Sequence, residues 1–214
     1  MSAASSAGPA RPAVPQVGDQ GYDWRMTDLL ALFHTGVAEF GARVHRVSDE
    51  QRAASTPCSE WDVTALVDHL IDEHLWLPPL VAGHDLEAAA KIVESQKHSL
   101  AEDRVAAWDA AVLASTRALD EPGAIDREVA LSRGPTPASE YLGEMIVDAT
   151  VHAWDLGRAI GVDDPLPAEL VEFALPLARR FAGTEPYFQP PVEPPADATA
   201  QQRLIALTGR PPRG

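Results

Sequence analysis

Asp148 and His152 lie four residues apart in the segment Asp148-Ala149-Thr150-Val151-His152-Ala153-Trp154-Asp155. That spacing puts a carboxylate and an imidazole on one face of a helix. Met145, Ala149 and Leu156 share the face, so it points toward a core. Both groups are costly there unless they pair or hold a metal ion. His69, between Leu66 and Leu70 on the inward edge of an earlier helical segment, is a third group of this kind. Two facing helices then offer two imidazoles and one carboxylate, which is how metal sites are built in bundle cores. Spacing alone also admits a hydrogen-bonded Asp–His pair beside an unrelated core histidine. It does not exclude His34, His45, His74, His84 or His98 either.

Other residues could assist. Glu73, one turn beyond His69, could add a fourth ligand or act as a general base. Asp155 could pair with Arg158, three residues on, or orient a neighbour such as a ligating histidine. Cys58 precedes a helix, where the positive end of the dipole lowers a thiol pKa; as a small residue beside Trp61 it equally suits a structural role. Trp108 and Trp154 are expected in the core.

The elements that must position these groups are helical. Leu30, Phe33, Val37, Phe40, Val44 and Val47 form one apolar stripe after Thr27, an expected N-cap. A second helix begins near Ser59 and carries Trp61, Leu66, Val67, Leu70 and Leu77, with Pro78-Pro79 expected to end or kink it before Gly83. Ser99 and Glu102 read as a capping box for a third helix with Val105, Trp108, Val112, Ser115 and Leu119, ended by Pro122-Gly123. A short strand or extended crossover is expected from Ile125 to Leu131. A fourth helix starts at Thr136-Pro137, with proline at its first position, and stops at Gly161. A fifth follows Pro165 and Pro167, a proline-rich stretch follows Gly183, and Gln201–Leu207 forms a last short helix.

The expected fold is therefore all-α: an antiparallel four-helix bundle with an additional C-terminal helix and a short extended or β segment near 125–131. The expected domains are a flexible arm over 1–22, a metal-binding bundle over 23–183 and a C-terminal wrap over 184–214.

With 214 residues, 45% hydrophobic and 23% charged, the chain can bury a core without staples. A net charge of −15 disfavours nucleic acid and anionic membranes. No apolar run reaches the roughly 18 residues a spanning helix needs. The first twenty residues lack a secretory apolar region, and the single cysteine, Cys58, suits a reducing compartment, so a cytoplasmic location is expected.

The stretches Thr56-Pro57-Cys58-Ser59-Glu60-Trp61-Asp62-Val63, Leu66-Val67-Asp68-His69-Leu70, Asp148 through Ala159 and Arg203-Leu204-Ile205-Ala206-Leu207-Thr208-Gly209-Arg210 resemble an actinobacterial family of the DinB-like superfamily. Its members include the metal-binding domain of mycothiol-dependent maleylpyruvate isomerase. The likeness runs from about Leu29 to Arg210. It implies a four-helix bundle with a divalent metal, zinc first and nickel or iron as alternatives, held by His69, Asp148 and His152. The family's isomerase has Glu where this chain has Asp148. About thirty residues follow the fifth expected helix, so the isomerase's second domain is expected to be absent.

Two imidazoles and a carboxylate leave an open coordination position, as catalytic sites do. The implied function is a mycothiol-dependent transferase or isomerase acting on a small electrophile; the alternative is a metal-binding or sensing bundle without turnover. The implied partners are a small thiol and that electrophile, and a homodimer is compatible.

Overall fold

The computed structural model describes residues 26–59, 61–100, 103–162, 165–182 and 188–212. The expected N-terminal arm lies outside them. Among the described residues are seven α-helices and one two-stranded hairpin: α1 (Met26–Val44), α2 (Val63–Val81), α3 (Leu86–Leu100), α4 (Arg104–Asp120), β1 (Glu128–Leu131), β2 (Gly134–Pro137), α5 (Ala138–Ile160), α6 (Ala168–Phe181) and α7 (Ala200–Leu207).

Helices α1, α2, α4 and α5 form the bundle: α1 packs on α5 and α4, and α2 packs on α4 and α5. The register of contacts gives the direction of each. On α1, Gly36 faces Ala149 of α5, and Arg43 faces Gly157, so α1 and α5 run parallel. Asp68 of α2 binds Arg104, and His74 binds Ser115, so α2 and α4 are parallel as well. Trp61 stacks near His152 and His69 binds Asp148, so α2 runs antiparallel to α5. It follows that α1 and α4 are antiparallel too.

Parallel neighbours cannot be joined by a tight turn. The connection from α2 to α4 is made by α3, which the sequence patterning did not reveal. It runs back along α2, fastened where Lys97 meets Asp72 at 2.6 Å. Its apolar stripe is thin, with Ala89 and Val93 buried. The start was nonetheless encoded, since the Asp85 carboxylate accepts from the N–H of Ala88 at 2.8 Å.

Several boundaries differ from expectation, each for a local reason. Thr27 falls inside the first turn of α1. The N-cap of α2 is Asp62, whose carboxylate accepts from Ala65 N–H, and not Ser59. Pro78 and Pro79 lie inside α2, which continues only two residues past them, and Gly83 follows with φ +88°. Ser99 belongs to α3, while Asp103 caps α4 by accepting from Val105 and Ala106; Glu102 lies outside the described residues. The extended segment near 125–131 is one arm of an antiparallel hairpin, with Val129 opposite Thr136. Pro137 closes that hairpin and precedes α5 instead of occupying its first turn.

The core is continuous across the bundle, with Phe40, Leu66, Leu142, Ile146, Leu156 and Leu170 among its fully enclosed side chains. Trp108 is buried there as expected; a Cβ at Gly41 would lie 2.8 Å from its indole nitrogen, so α1 needs glycine at that contact. Helix α6 packs on α5, and α7 packs on α6, which carries the C-terminal segment back over the bundle. No helix among the described residues is long and apolar enough to cross a membrane.

Candidate metal centre

The turn before α2 builds one wall of the site. The Thr56 hydroxyl sits 3.0 Å from the Cys58 carbonyl and 2.8 Å from the Trp61 carbonyl, and accepts from the Cys58 N–H at 3.1 Å. Trp61 N–H donates to the Cys58 carbonyl. The closed turn sets Trp61 against both imidazoles, its ring centroid 4.5 Å from His69 and 5.5 Å from His152. Cys58 itself is half-buried at the edge of the cavity, five residues ahead of the helix start.

Across from Trp61, α5 presents its stripe. Asp148 Oδ2 lies 3.1 Å from His69 Nε2, and Oδ1 lies 3.3 Å from His152 Nε2. The donor atoms of His69, Asp148 and His152 all fall within 4.8 Å of one another, and this is the group among the described residues able to hold a metal ion. Ligand atoms about 2.1 Å from a tetrahedral ion are roughly 3.4 Å apart, so the spacing suits direct coordination. The shorter side chain of Asp148 reaches both imidazoles.

Asp155 completes the arrangement. Its Oδ2 accepts from His152 Nδ1 at 2.8 Å, which leaves Nε2 of that ring directed at the cavity. The carboxylate is in turn held by Arg210, with Nε at 3.0 and 3.1 Å and Nη2 at 2.8 Å, while Nη1 donates to the Thr208 carbonyl. Arg210 arrives because Gly209 turns the chain at φ +79°; a Cβ there would overlap Gln189. Asp155 thus orients a neighbour, His152, and its cationic partner is Arg210 from the far end of the chain. Arg210 was visible in the sequence only as the last residue of the Leu-Thr-Gly-Arg stretch.

The electrostatics follow from this packing. Burial alone would raise the Asp148 carboxyl, yet the two imidazoles outweigh it and hold it well below the carboxylate range. Burial would lower His152, but Asp148 and Asp155 lift it to about 9. Burial likewise opposes the charge on Asp155, and His152 with Arg210 keeps it ionised.

The other candidates lie elsewhere. Glu73 lines the same cavity but is not among the converging donors. His74 is buried in the bundle, bonded to Ser115 at 2.8 Å. His45 pairs with Asp109 on the surface, His34 and His84 are exposed, and the side chain of His98 lies outside the described residues.

The cavity beside the trio holds about 180 Å³, with Tyr141, Met145, Phe181 and Phe188 among its apolar walls. His69, Asp148 and His152 all line this cavity, so a small molecule inside it would meet the trio.

Solved structures with this fold include the mycothiol-dependent maleylpyruvate isomerase, 19% identical with a TM-score of 0.58, covering 75% of this chain and 70% of that one. A point mutant of the same enzyme matches equally well at 17% identity. Among curated proteins, an uncharacterized protein of Mycobacterium tuberculosis, present in strains CDC 1551 and H37Rv, is 29% identical over 190 residues, spanning 86% of this chain and 98% of its own length. The family model described as the mycothiol maleylpyruvate isomerase N-terminal domain matches residues 33–157, more than half of the chain and all of α2 through most of α5. The chain belongs to the mycothiol maleylpyruvate isomerase N-terminal domain family.

Proposed function

We propose that this protein binds one divalent metal ion through His69, Asp148 and His152 and works in the cytoplasm as a mycothiol-dependent transferase or isomerase on a small electrophile. The observation that carries the proposal is the convergence of three donor atoms within 4.8 Å on the wall of a cavity. Family membership supports the thiol, because the related enzyme of this fold is named for its dependence on mycothiol. Zinc is the first assignment from the donor set, and nickel or iron would accept the same ligands.

A bound ion would supply Lewis acidity that lowers the pKa of a thiol at its open side. The protein's part is positioning. Asp155 fixes the ring of His152 so that Nε2 faces the cavity, and Arg210 fixes Asp155. Trp61 covers the two imidazoles from the α2 side. Met145 and Phe188 keep water from part of the cavity, which strengthens every charge interaction inside it.

The first test is the metal content of purified protein. Close to one divalent ion per chain is expected, and His152→Ala should lose it; equal content in both proteins overturns the ligand assignment. The second test titrates the cobalt-substituted protein with mycothiol, cysteine and glutathione. A sulfur–cobalt charge-transfer band is expected, strongest with mycothiol. No band with any thiol at millimolar concentration would favour a metal-binding protein without turnover.

A further inference from the structure

We infer that Arg210 is a positioning residue for the metal centre, acting through Asp155 on His152, and that the ion and the docked C-terminal segment therefore stabilise each other. The inference rests on the metal ligation proposed above, and it adds to that site a part of the chain outside the matched residues 33–157.

The two imidazoles of the trio are held differently. The side chain of His69 is 24% exposed, and its one hydrogen-bonded nitrogen among the described residues is Nε2, which faces Asp148. The side chain of His152 is 6% exposed, and its Nδ1 is bonded to Asp155, whose own side chain is fully enclosed. A ligating imidazole is aimed by the group on its other nitrogen. Asp155 serves in that way while it stays ionised and in place, and an enclosed carboxylate needs a charged partner for both. Arg210 is that partner. Its Nε spans both carboxylate oxygens, and Nη2 bonds Oδ2, the oxygen that also meets His152. The guanidinium is fixed in turn where Nη1 donates to the Thr208 carbonyl.

The segment that carries Arg210 is tied together along its length. Val192 N–H donates to the Ala206 carbonyl, which joins the proline-rich stretch to α7. The Arg210 guanidinium lies 5.9 Å from the centre of the Phe188 ring, and Gly209 passes so close to Gln189 that a Cβ would overlap it. Phe188, Gln189, Thr208, Gly209 and Arg210 all line the cavity beside the trio. The ion pair with Asp155 thus joins this wall to α5. Whatever factor Arg210 adds to metal affinity, a bound ion returns to the docking of the segment, since coupling between two binding events is reciprocal. Loading the ion therefore also firms the wall of the cavity that its thiol would enter.

The test begins with the zinc affinity of the full-length protein, measured by chelator competition. Arg210→Gln should weaken it about tenfold, the lower end of what such outer partners contribute. Arg210→Lys should lose less, because an ammonium keeps the charge without the fork. If Arg210 acts through Asp155, the double variant Asp155→Asn/Arg210→Gln should bind zinc as Asp155→Asn alone does. The double variant removes both charges together, so it stays measurable even where Arg210→Gln, with its unpaired carboxylate, fails to fold. The reciprocal arm is hydrogen exchange of the backbone amides from Leu204 to Gly209. Zinc should slow it about tenfold in wild type, and by less than about twofold in Asp155→Asn loaded to the same occupancy. Unchanged zinc affinity in Arg210→Gln, a double variant that binds more weakly than Asp155→Asn, or wild-type exchange that zinc does not slow would each overturn the inference while leaving the ligand assignment intact. Wild-type protein that binds no zinc overturns the ligand assignment itself, and the inference falls with it.

Discussion

His152 is held at both of its nitrogens. Nδ1 is bonded to Asp155 and Nε2 faces Asp148, so the ring has one orientation, with Nδ1 committed to Asp155 and Nε2 on the side of the other candidate ligands. Partners of this kind typically contribute 10–100-fold to metal affinity. Asp155→Asn should therefore weaken metal binding by about that factor in a chelator competition, while the helix remains intact. Unchanged affinity would reduce Asp155 to a stabilising partner of Arg210. The inward face of α5 was legible because Met145, Asp148, Ala149, His152 and Leu156 recur at helical spacing. The choice of His69 was not legible from spacing, since His74, one turn and a residue further, is more deeply buried than His69. What separates them is the neighbour each meets: His69 faces α5, and His74 faces Ser115 on α4. Periodicity within one helix does not encode that, and the family motif supplied it. Arg210 was hidden for a related reason, because its contact with Asp155 depends on how α6 and α7 dock.

His74 also carries a prediction about the packing between elements. It is enclosed by Phe33 of α1 and Trp108 of α4 as well as Ser115. Burial lowers its pKa from 6.5 to about 4, with Asp148 opposing the shift only in part. A histidine lowered in this way binds its proton more readily when unfolded. The protein should have its full stability from this group above pH 6.5 and lose it as pH falls toward 4, by up to about 3 kcal/mol. Denaturant titrations across that range would measure the slope, and His74→Asn should flatten it. An unchanged slope in the variant would assign the acid sensitivity to other groups. At this scale the long amphipathic helices were legible and the crossover was not. Helix α3 is mostly exposed, so its sequence bears little of the patterning that burial imposes. The hairpin was half legible: Val129 marks an inward position on β1, while β2 is Gly-Pro-Thr-Pro and gives no strand signal.

For the molecule as a whole, the bundle should stand without the ion. Its core runs through all four central helices, and the candidate ligands lie at its margin with His69 and Asp148 partly exposed. Metal removal is expected to lower the thermal midpoint while the helical circular dichroism persists; a random-coil spectrum for the apo form would contradict this. At about one hundred times its Kd, the ion would add about 2.7 kcal/mol. How that increment divides between forming and losing the fold follows from the parallel pairing of α1 with α5 and of α2 with α4. His69 and Asp148 are 79 positions apart, and Asp155 and Arg210 are 55 apart, so no local fragment contains the trio and its brace. Contacts of such separation are expected to form after both long connections have closed, late on the path to the native state. An interaction absent from the transition state slows escape from the native state and leaves its formation rate alone. In stopped-flow experiments at saturating metal, the unfolding limb should drop and the refolding limb should coincide with that of the apo protein. The ion would then act as a latch on a finished molecule, and its hold would be measured in lifetime.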